Sequence, residues 1–472
     1  MKQRESKFER IYRFLSVKEK KEFRELTKNT LLKRGRNYIK ILDEIDNGSI
    51  IFKSKIKSRS KWNRLSELYL LSEKYLAFKQ LEQNKHWLEY FAVKEMLNRD
   101  AHNIMEMKVR YWRKKNLKHK ASLEEFKLVK YQMELDLSYL SKIGDGESYG
   151  SVFTEYARLC FLINMIEISG NLIDDWKLAI TKTIPEYSCM RNLFAFFNFE
   201  EALKFIKSDF PESYHPVEFN YLVFLSLCNP LDSDSFFKAM SLLNNELSKI
   251  KDSRRLDWYL NLLNASINRV NHGIKGAVED QFNLIKSKVN EALIDDLKNK
   301  YILGNHFRDY ILTACKLYKF DWAENFILSY SDYLPEDGRK EITLICKAWI
   351  KFYKGNFENC LCILEDFCFT NPLLYVDAAR MKLICFYESE NLDKCTSLLH
   401  SFIQYLRRPH TVQDELLKNS KNFCRNFSRL LKYSDNPDWT EVKFLLSELE
   451  KNYPNGEKWL KKKTREILQQ YS

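Results

Sequence analysis

The sequence predicts an all-α protein in which a solenoid of helical hairpins follows a basic N-terminal helical region. Three observations support this prediction. Glycine (12) and proline (9) are scarce among the 472 residues, which favours long helices joined by short turns over β-sheet. One helical pattern recurs between residues 320 and 402. The net charge of +13 is concentrated at the N-terminus, because residues 1–64 hold 20 of the 77 Lys and Arg but only 8 of the 64 Asp and Glu.

Residues 1–64 are predicted to form two or three short amphipathic helices and then a polar linker. Ser16 and Glu19 have the spacing of a capping box, which predicts that a helix carrying Phe23 begins there. Basic residues alternate along the linker. They are Lys53, Lys55, Lys57, Arg59 and Lys61.

A further helical region is predicted at residues 65–145. The densest glycine cluster of the chain, from Gly144 to Gly150, predicts a flexible linker and a domain boundary near residue 145. The hairpin solenoid is predicted to occupy residues 146–410. The tail, 411–472, keeps apolar helical stripes and is predicted to cap the end of the stack.

The repeated pattern has a large apolar residue, a small residue three positions later, an aliphatic one after seven and an aromatic one after ten. Its clearest copies begin at Phe320, Phe357 and Leu392. These positions form one stripe of an α-helix, and the small residue marks a close helix crossing. The small residues along the chain are Ala202, Ala239, Ala277, Ala323, Cys360 and Cys395. Their spacings of 37, 38, 46, 37 and 35 residues predict two-helix units of tetratricopeptide type.

Several segments resemble an uncharacterised bacterial family of tetratricopeptide-like helical-repeat proteins. The segments are LSVKE at 15–19, LSEL at 65–68, WAENF at 322–326, YE at 387–388 and F-x-x-x-LRR at 402–408. The resemblance covers most of the chain in pieces. It implies a helical-repeat fold and carries no activity with it.

The sequence Gly146-Glu147-Ser148-Tyr149-Gly150 matches the G-x-S-x-G pattern of a hydrolase nucleophile elbow. An elbow needs a buried strand before the serine, and the residues before this one look like the end of a helix, so coincidence is favoured. The histidines do not pair at helical spacing, and no phosphate-loop or dinucleotide-binding motif is present. We therefore expect no enzyme activity and no catalytic, cofactor-binding or metal-binding residue.

The chain has no run of about 18 apolar residues and does not begin with an apolar signal core. Its 11 cysteines include no C-x-x-C pair, and several fall on predicted buried helix faces. This usage is typical of a reducing compartment. The sequence therefore predicts a cytoplasmic protein with no membrane span.

The curvature of a helical solenoid leaves a concave face that binds peptides or helices of other proteins. Residues on the first helices of the predicted units are candidates for that face. They are His306, Asp309, Tyr310, Thr343, Lys347 and Arg380. The leading hypothesis is therefore a non-enzymatic scaffold or adaptor that binds another protein.

The alternative is a nucleic-acid-binding or nucleic-acid-associated factor that acts through the basic N-terminal region, including the linker cations from Lys53 to Lys61. Lysine and arginine neutralise phosphates, and aromatic residues lie among these charges, as stacking on bases requires. However, the aromatic residues of the predicted helices fall on apolar stripes, which is more typical of a core. An acidic protein or membrane headgroups would be attracted by the same charge.

Overall fold

A computed structural model describes residues 6–31, 38–47, 59–116, 123–180, 196–246, 252–295, 301–365, 369–408, 414–435, 438–452 and 458–470. In these residues the chain folds into α-helices and forms no β-strand, which confirms the all-α prediction. The helices pack mainly against their neighbours in the chain.

The first eight helices are α1 (Lys7–Phe14), α2 (Val17–Leu31), α3 (Ile39–Asp46), α4 (Arg59–Gln83), α5 (Lys85–Asn98), α6 (His102–Asn116), α7 (Leu123–Ile143) and α8 (Gly146–Ile180). The next seven are α9 (Phe199–Asp209), α10 (Pro211–Cys228), α11 (Ser233–Glu246), α12 (Asp252–Asn271), α13 (Ala277–Asn290), α14 (Gly304–Lys316) and α15 (Phe320–Tyr330). The others are α16 (Arg339–Tyr353), α17 (Phe357–Glu365), α18 (Pro372–Glu388), α19 (Leu392–Arg407), α20 (Asp414–Asp435), α21 (Trp439–Asn452) and α22 (Lys458–Gln470).

The chain divides into two compact units, Met1–Asn164 and Met165–Ser472. The division falls inside α8. Residue 145, where the sequence predicts a domain boundary, lies in the turn between α7 and α8 and not at this division; Gly144 in that turn has a φ of 74°.

The glycine-rich stretch after this turn is helical. Gly146 begins α8 and Gly150 lies in its second turn, so the predicted flexible linker is wrong. Asp145 explains the difference, because its side chain accepts a 3.0 Å hydrogen bond from the Ser148 backbone N–H and so caps the helix. A glycine in a helix costs roughly 1 kcal/mol relative to alanine. The cap and the apolar contacts of the long helix that follows outweigh this cost.

The N-terminal unit contains two apolar clusters. One joins α1–α4 around Phe8 and Phe23, and the other joins α5–α7 around Val93 and Trp112. The predicted capping box at Ser16 is confirmed, since Ser16 N–H donates to the Glu19 carboxylate (2.8 Å) and Glu19 N–H donates to Ser16 Oγ (3.3 Å). Most aromatic residues of these helices belong to the two apolar clusters, as their positions on apolar stripes predict.

In the C-terminal unit, the six predicted small residues lie on alternate helices: α9, α11, α13, α15, α17 and α19. All six are buried, with exposures between 0% and 8%. Four of them (Ala202, Ala323, Cys360 and Cys395) are the fourth residue of their helix, which shows that the sequence pattern fixes the same point of each helix. The intervening helices also pack on one another, since α16 contacts both α14 and α18.

One turn geometry precedes four of these alternate helices. A residue with positive φ ends the preceding helix: Gly273 (70°), Tyr318 (57°), Gly355 (75°) or Glu390 (56°). The N–H of the residue after each bonds back to a carbonyl five positions earlier, as Lys319 does to Ala314 (2.9 Å). This is the Schellman ending of a helix, in which the left-handed position favours glycine. Two of the four turns therefore carry a strained side chain.

We expect glycine to stabilise the two strained turns. Tyr318→Gly and Glu390→Gly should each raise the free energy of unfolding by about 1 kcal/mol, because a side chain is disfavoured at positive φ. Tyr318 is 71% exposed, so little packing is lost. Urea-induced unfolding followed by circular dichroism measures the change.

Gly355→Ala is the matched control. A methyl group at Gly355 would meet no atom within 4 Å, so its only cost is the conformation, and it should destabilise by a similar amount. Stabilisation by Gly355→Ala would contradict this account of the turns.

We expect Ala323→Glu to disrupt the C-terminal unit. Ala323 is fully buried at a helix contact, and burying an unpaired carboxylate there should cost several kcal/mol, roughly 3–5. Lys319→Glu, four residues earlier and exposed, is the control and should leave the melting temperature nearly unchanged. Equal melting temperatures for the two variants would refute the helix-crossing role of the small residue.

Candidate protein-binding face

The three helices that carry the predicted binding residues lie side by side, because α16 packs against α14 and against α18. On α14 and α16 the residues that are not buried recur every three or four positions, so one side of each helix remains accessible. We call the open sides of α14, α16 and α18 the three-helix face. Its residues are Asp309, Leu312, Lys316, Thr343, Lys347, Lys351 and Arg380, together with the buried Asp377.

Arg308 links the outer two helices of this face. Its Nε donates a 2.5 Å hydrogen bond to the Asp377 carboxylate on α18, and its guanidinium also contacts Asp309 on α14. The side chain of Arg308 is only 13% exposed. Burial opposes its charge, but Asp377 and Asp309 outweigh this effect and hold the pKa of the guanidinium above its usual value. The link therefore fixes α14 and α18 relative to each other across α16.

Lysines dominate the exposed part of the face. Lys316 and Lys347 are exposed, Lys351 is half-buried, and none of the three forms an ion pair with a described residue. Desolvation lowers the pKa of the Lys316 ammonium group, the charge of Asp309 opposes this shift, and the charges of Arg308 and Lys458 add to it. Lys316 therefore lies among charges of both signs.

The structure places four of the six predicted residues on this face. Asp309 contacts Arg308, and Lys347 is open to solvent. The Thr343 hydroxyl is buried and has no hydrogen-bond partner among the described residues. The Arg380 guanidinium lies 4.4 Å from the centre of the Phe423 ring on α20. The open part of the face is therefore on α14 and α16.

The other two predicted residues, His306 and Tyr310, belong to a polar cluster that the sequence analysis missed. Tyr310 is only 5% exposed, so its side chain is closed to a partner. Its hydroxyl receives a 3.1 Å hydrogen bond from Lys288 Nζ, and Lys288 also pairs with Asp295 at 2.8 Å. His306 Nδ1 lies 3.0 Å from Asp295.

Asp295 is the centre of this polar cluster. Besides these contacts it accepts a 2.9 Å hydrogen bond from the Leu303 N–H, and it is 3% exposed. Burial alone would raise its pKa, but the His306 hydrogen bond and the Lys288 charge outweigh burial and lower the pKa to about 2. Burial outweighs the attraction of Asp295 and lowers the pKa of the Lys288 ammonium group, while the Asp295 carboxylate is ionised at neutral pH.

The basic N-terminal patch falls largely beyond the structural description. Lys53, Lys55 and Lys57 lie outside the described residues, and only the helical backbone of Arg59 and Lys61 is described, in α4. Upstream of the patch, part of the positive charge is paired locally, since Arg24 and Lys20 both bind Asp46 (2.6 and 3.2 Å).

The remaining sequence motifs have simple placements. Ser148 lies in the first turn of α8, and the element before it is helix α7 rather than the strand of a nucleophile elbow. In the part of the chain that the structure describes, no three His, Cys, Asp or Glu side chains form a metal-binding group. Within the same residues, no helix combines the length and apolar content needed to span a bilayer.

Comparison with family models, with curated proteins and with solved structures finds no match for this chain. The candidate face therefore stands on its own geometry and charge.

We expect Asp295→Asn to destabilise the protein by about 3–5 kcal/mol at pH 7, because it leaves Lys288 buried without its partner. Asp337→Asn, at an exposed position, is the control and should change little. The double variant Lys288→Met with Asp295→Asn removes both charges and should recover much of the loss. Urea unfolding measures all four proteins.

The loss should also depend on pH. The pKa of Asp295 is about 2 in the folded protein and about 3.9 in an unfolded chain. The stabilisation is therefore fully present above roughly pH 4 and lost as the pH falls towards 2. A gap between wild type and Asp295→Asn that stays constant from pH 7 to pH 3 would contradict this role for the carboxylate.

Proposed function

We propose that the protein is a non-enzymatic scaffold or adaptor, and that it binds another protein through the three-helix face. In this proposal the hairpins of the C-terminal unit form a tetratricopeptide-like solenoid, and the face is its concave side. The burial of the repeated small residues on alternate helices supports the arrangement. So does the packing of α16 on both α14 and α18.

The observation that carries the proposal is the contrast between the base of the face and its surface. Arg308, Asp377 and Asp309 are held together in a mostly buried contact. Lys316 and Lys347, in contrast, extend into solvent without an ion pair among the described residues. A rigid base with free groups above it loses little entropy when a partner binds, which favours recognition.

The nucleic-acid alternative stays a prediction from the sequence. Lys53, Lys55 and Lys57, on which it depends, lie outside the described residues, and no contact among the described residues adds to it.

We expect a photo-crosslinking amino acid at position 347 to trap a partner protein in cells. Benzoylphenylalanine at position 347 or 316 should give the same crosslinked species, identified by mass spectrometry, because both positions lie on one face. Position 328 on α15 is the control, since Leu328 is 79% exposed but lies outside the face. Its crosslinks should be different or absent.

Identical crosslinks from positions 328 and 347, or none from 347 and 316 in full-length, folded protein, would contradict binding at this face. A co-purifying nucleic acid, detected by absorbance ratio and lost only when the linker lysines are replaced by glutamate, would favour the alternative.

A further inference from the structure

We infer that the partner presents an acidic, extended peptide segment that lies across the three-helix face. This inference rests on the proposed function and adds the chemistry of the segment. It depends on which charges of the face are already satisfied and which are not.

The carboxylates of the face are occupied. Asp377 and Asp309 both contact Arg308, whose single positive charge offsets half of their combined negative charge. Lys316, Lys347 and Lys351 have no carboxylate partner among the described residues. The face therefore has an excess of positive charge, although the chain outside residues 1–64 holds nearly equal numbers of basic and acidic residues.

Exposure makes these cations available to a partner. Lys316 and Lys347 both reach the surface, so the carboxylates of another chain can approach their ammonium groups. Solvent surrounds such groups, so the attraction should weaken as salt is added.

The dimensions favour an extended segment. Packed helices lie about 8–10 Å apart, so a segment that crosses from α14 to α16 covers roughly 10 Å. An extended peptide covers about 3.3 Å per residue, so about three residues make this crossing. Alternate side chains of such a segment point the same way, which would bring two carboxylates towards the lysines.

A peptide fits this face better than a nucleic acid does. Arg308 offsets only one of the two charges on Asp309 and Asp377, so a backbone that carries a charge at every phosphate would still be repelled there. A peptide can alternate acidic and neutral residues and so place neutral groups beside these carboxylates. The stems of the lysines and the half-buried Leu312 also offer apolar contact to a peptide side chain.

Fluorescence anisotropy with defined probes tests the inference on the full-length protein. The probes are a fluorescein-labelled peptide of about twelve alternating Glu and Ser residues, the same peptide with Gln in place of Glu, and an oligothymidylate of similar length. We expect the Glu peptide to bind, the Gln peptide not to bind, and the affinity to fall when salt is raised from about 0.05 to 0.3 M.

Two triple variants locate the binding. Lys316→Glu, Lys347→Glu and Lys351→Glu together should weaken binding of the Glu peptide at least about tenfold, through three lost charge pairs. Lys275→Glu, Lys286→Glu and Lys319→Glu change the net charge equally at exposed positions outside the face, and should weaken it less than about twofold. Circular dichroism and melting temperature confirm that both variants fold.

Equal weakening by the two triple variants would overturn the inference, because attraction would then come from overall charge. Failure of wild type to bind the Glu peptide, or tighter binding of the oligothymidylate at the same lysines, would also overturn it. If the Glu peptide fails while position 347 still crosslinks to a partner protein, the face binds protein but not an acidic segment. Failure of both experiments would instead remove the proposed function.

Discussion

Close helix contact at small buried residues is the constraint on which the C-terminal unit depends. Ala323, Cys360 and Cys395 have no exposed surface, and each lies one turn after the start of its helix. A larger side chain there would push neighbouring helices apart. The left-handed residues Tyr318, Gly355 and Glu390 hold the turns that precede these helices in one shape. The turn and the buried contact one helical turn later together set the direction of each of these helices.

Buried cations form a second set of contacts between helices. Arg269 on α12 donates to Ser233 at the start of α11 (3.0 Å) and lies against the Phe236 ring. Lys288 on α13 reaches Asp295 and Tyr310, and Arg308 on α14 reaches α18. Buried ion pairs contribute little net stability, since desolvation offsets their attraction. They penalise any packing that separates the partners, so we interpret them as fixing which helices are neighbours.

The sequence predicted the helical class and the buried helix positions because both follow from local periodicity. It placed Ala277 and Cys395 correctly, although they lie far apart in the chain. The sequence analysis was wrong about side chains whose surroundings come from other helices. Tyr310 looked open from its position on α14, but Lys288, from the preceding helix, covers its hydroxyl. Asp295 gave no periodic signal because it lies after the end of α13, and its role appears only when its donors are known.

The charge of the candidate face is another property that the sequence alone did not predict. A count along the chain assigns the positive charge to residues 1–64 and leaves the other residues close to neutral. That count treats every carboxylate as equally available. In the structure, Arg308 contacts both Asp309 and Asp377, whereas Lys316, Lys347 and Lys351 form no ion pair with a described residue. The charge that a surface presents therefore depends on which groups are paired inside the fold, and a count along the chain does not contain that information.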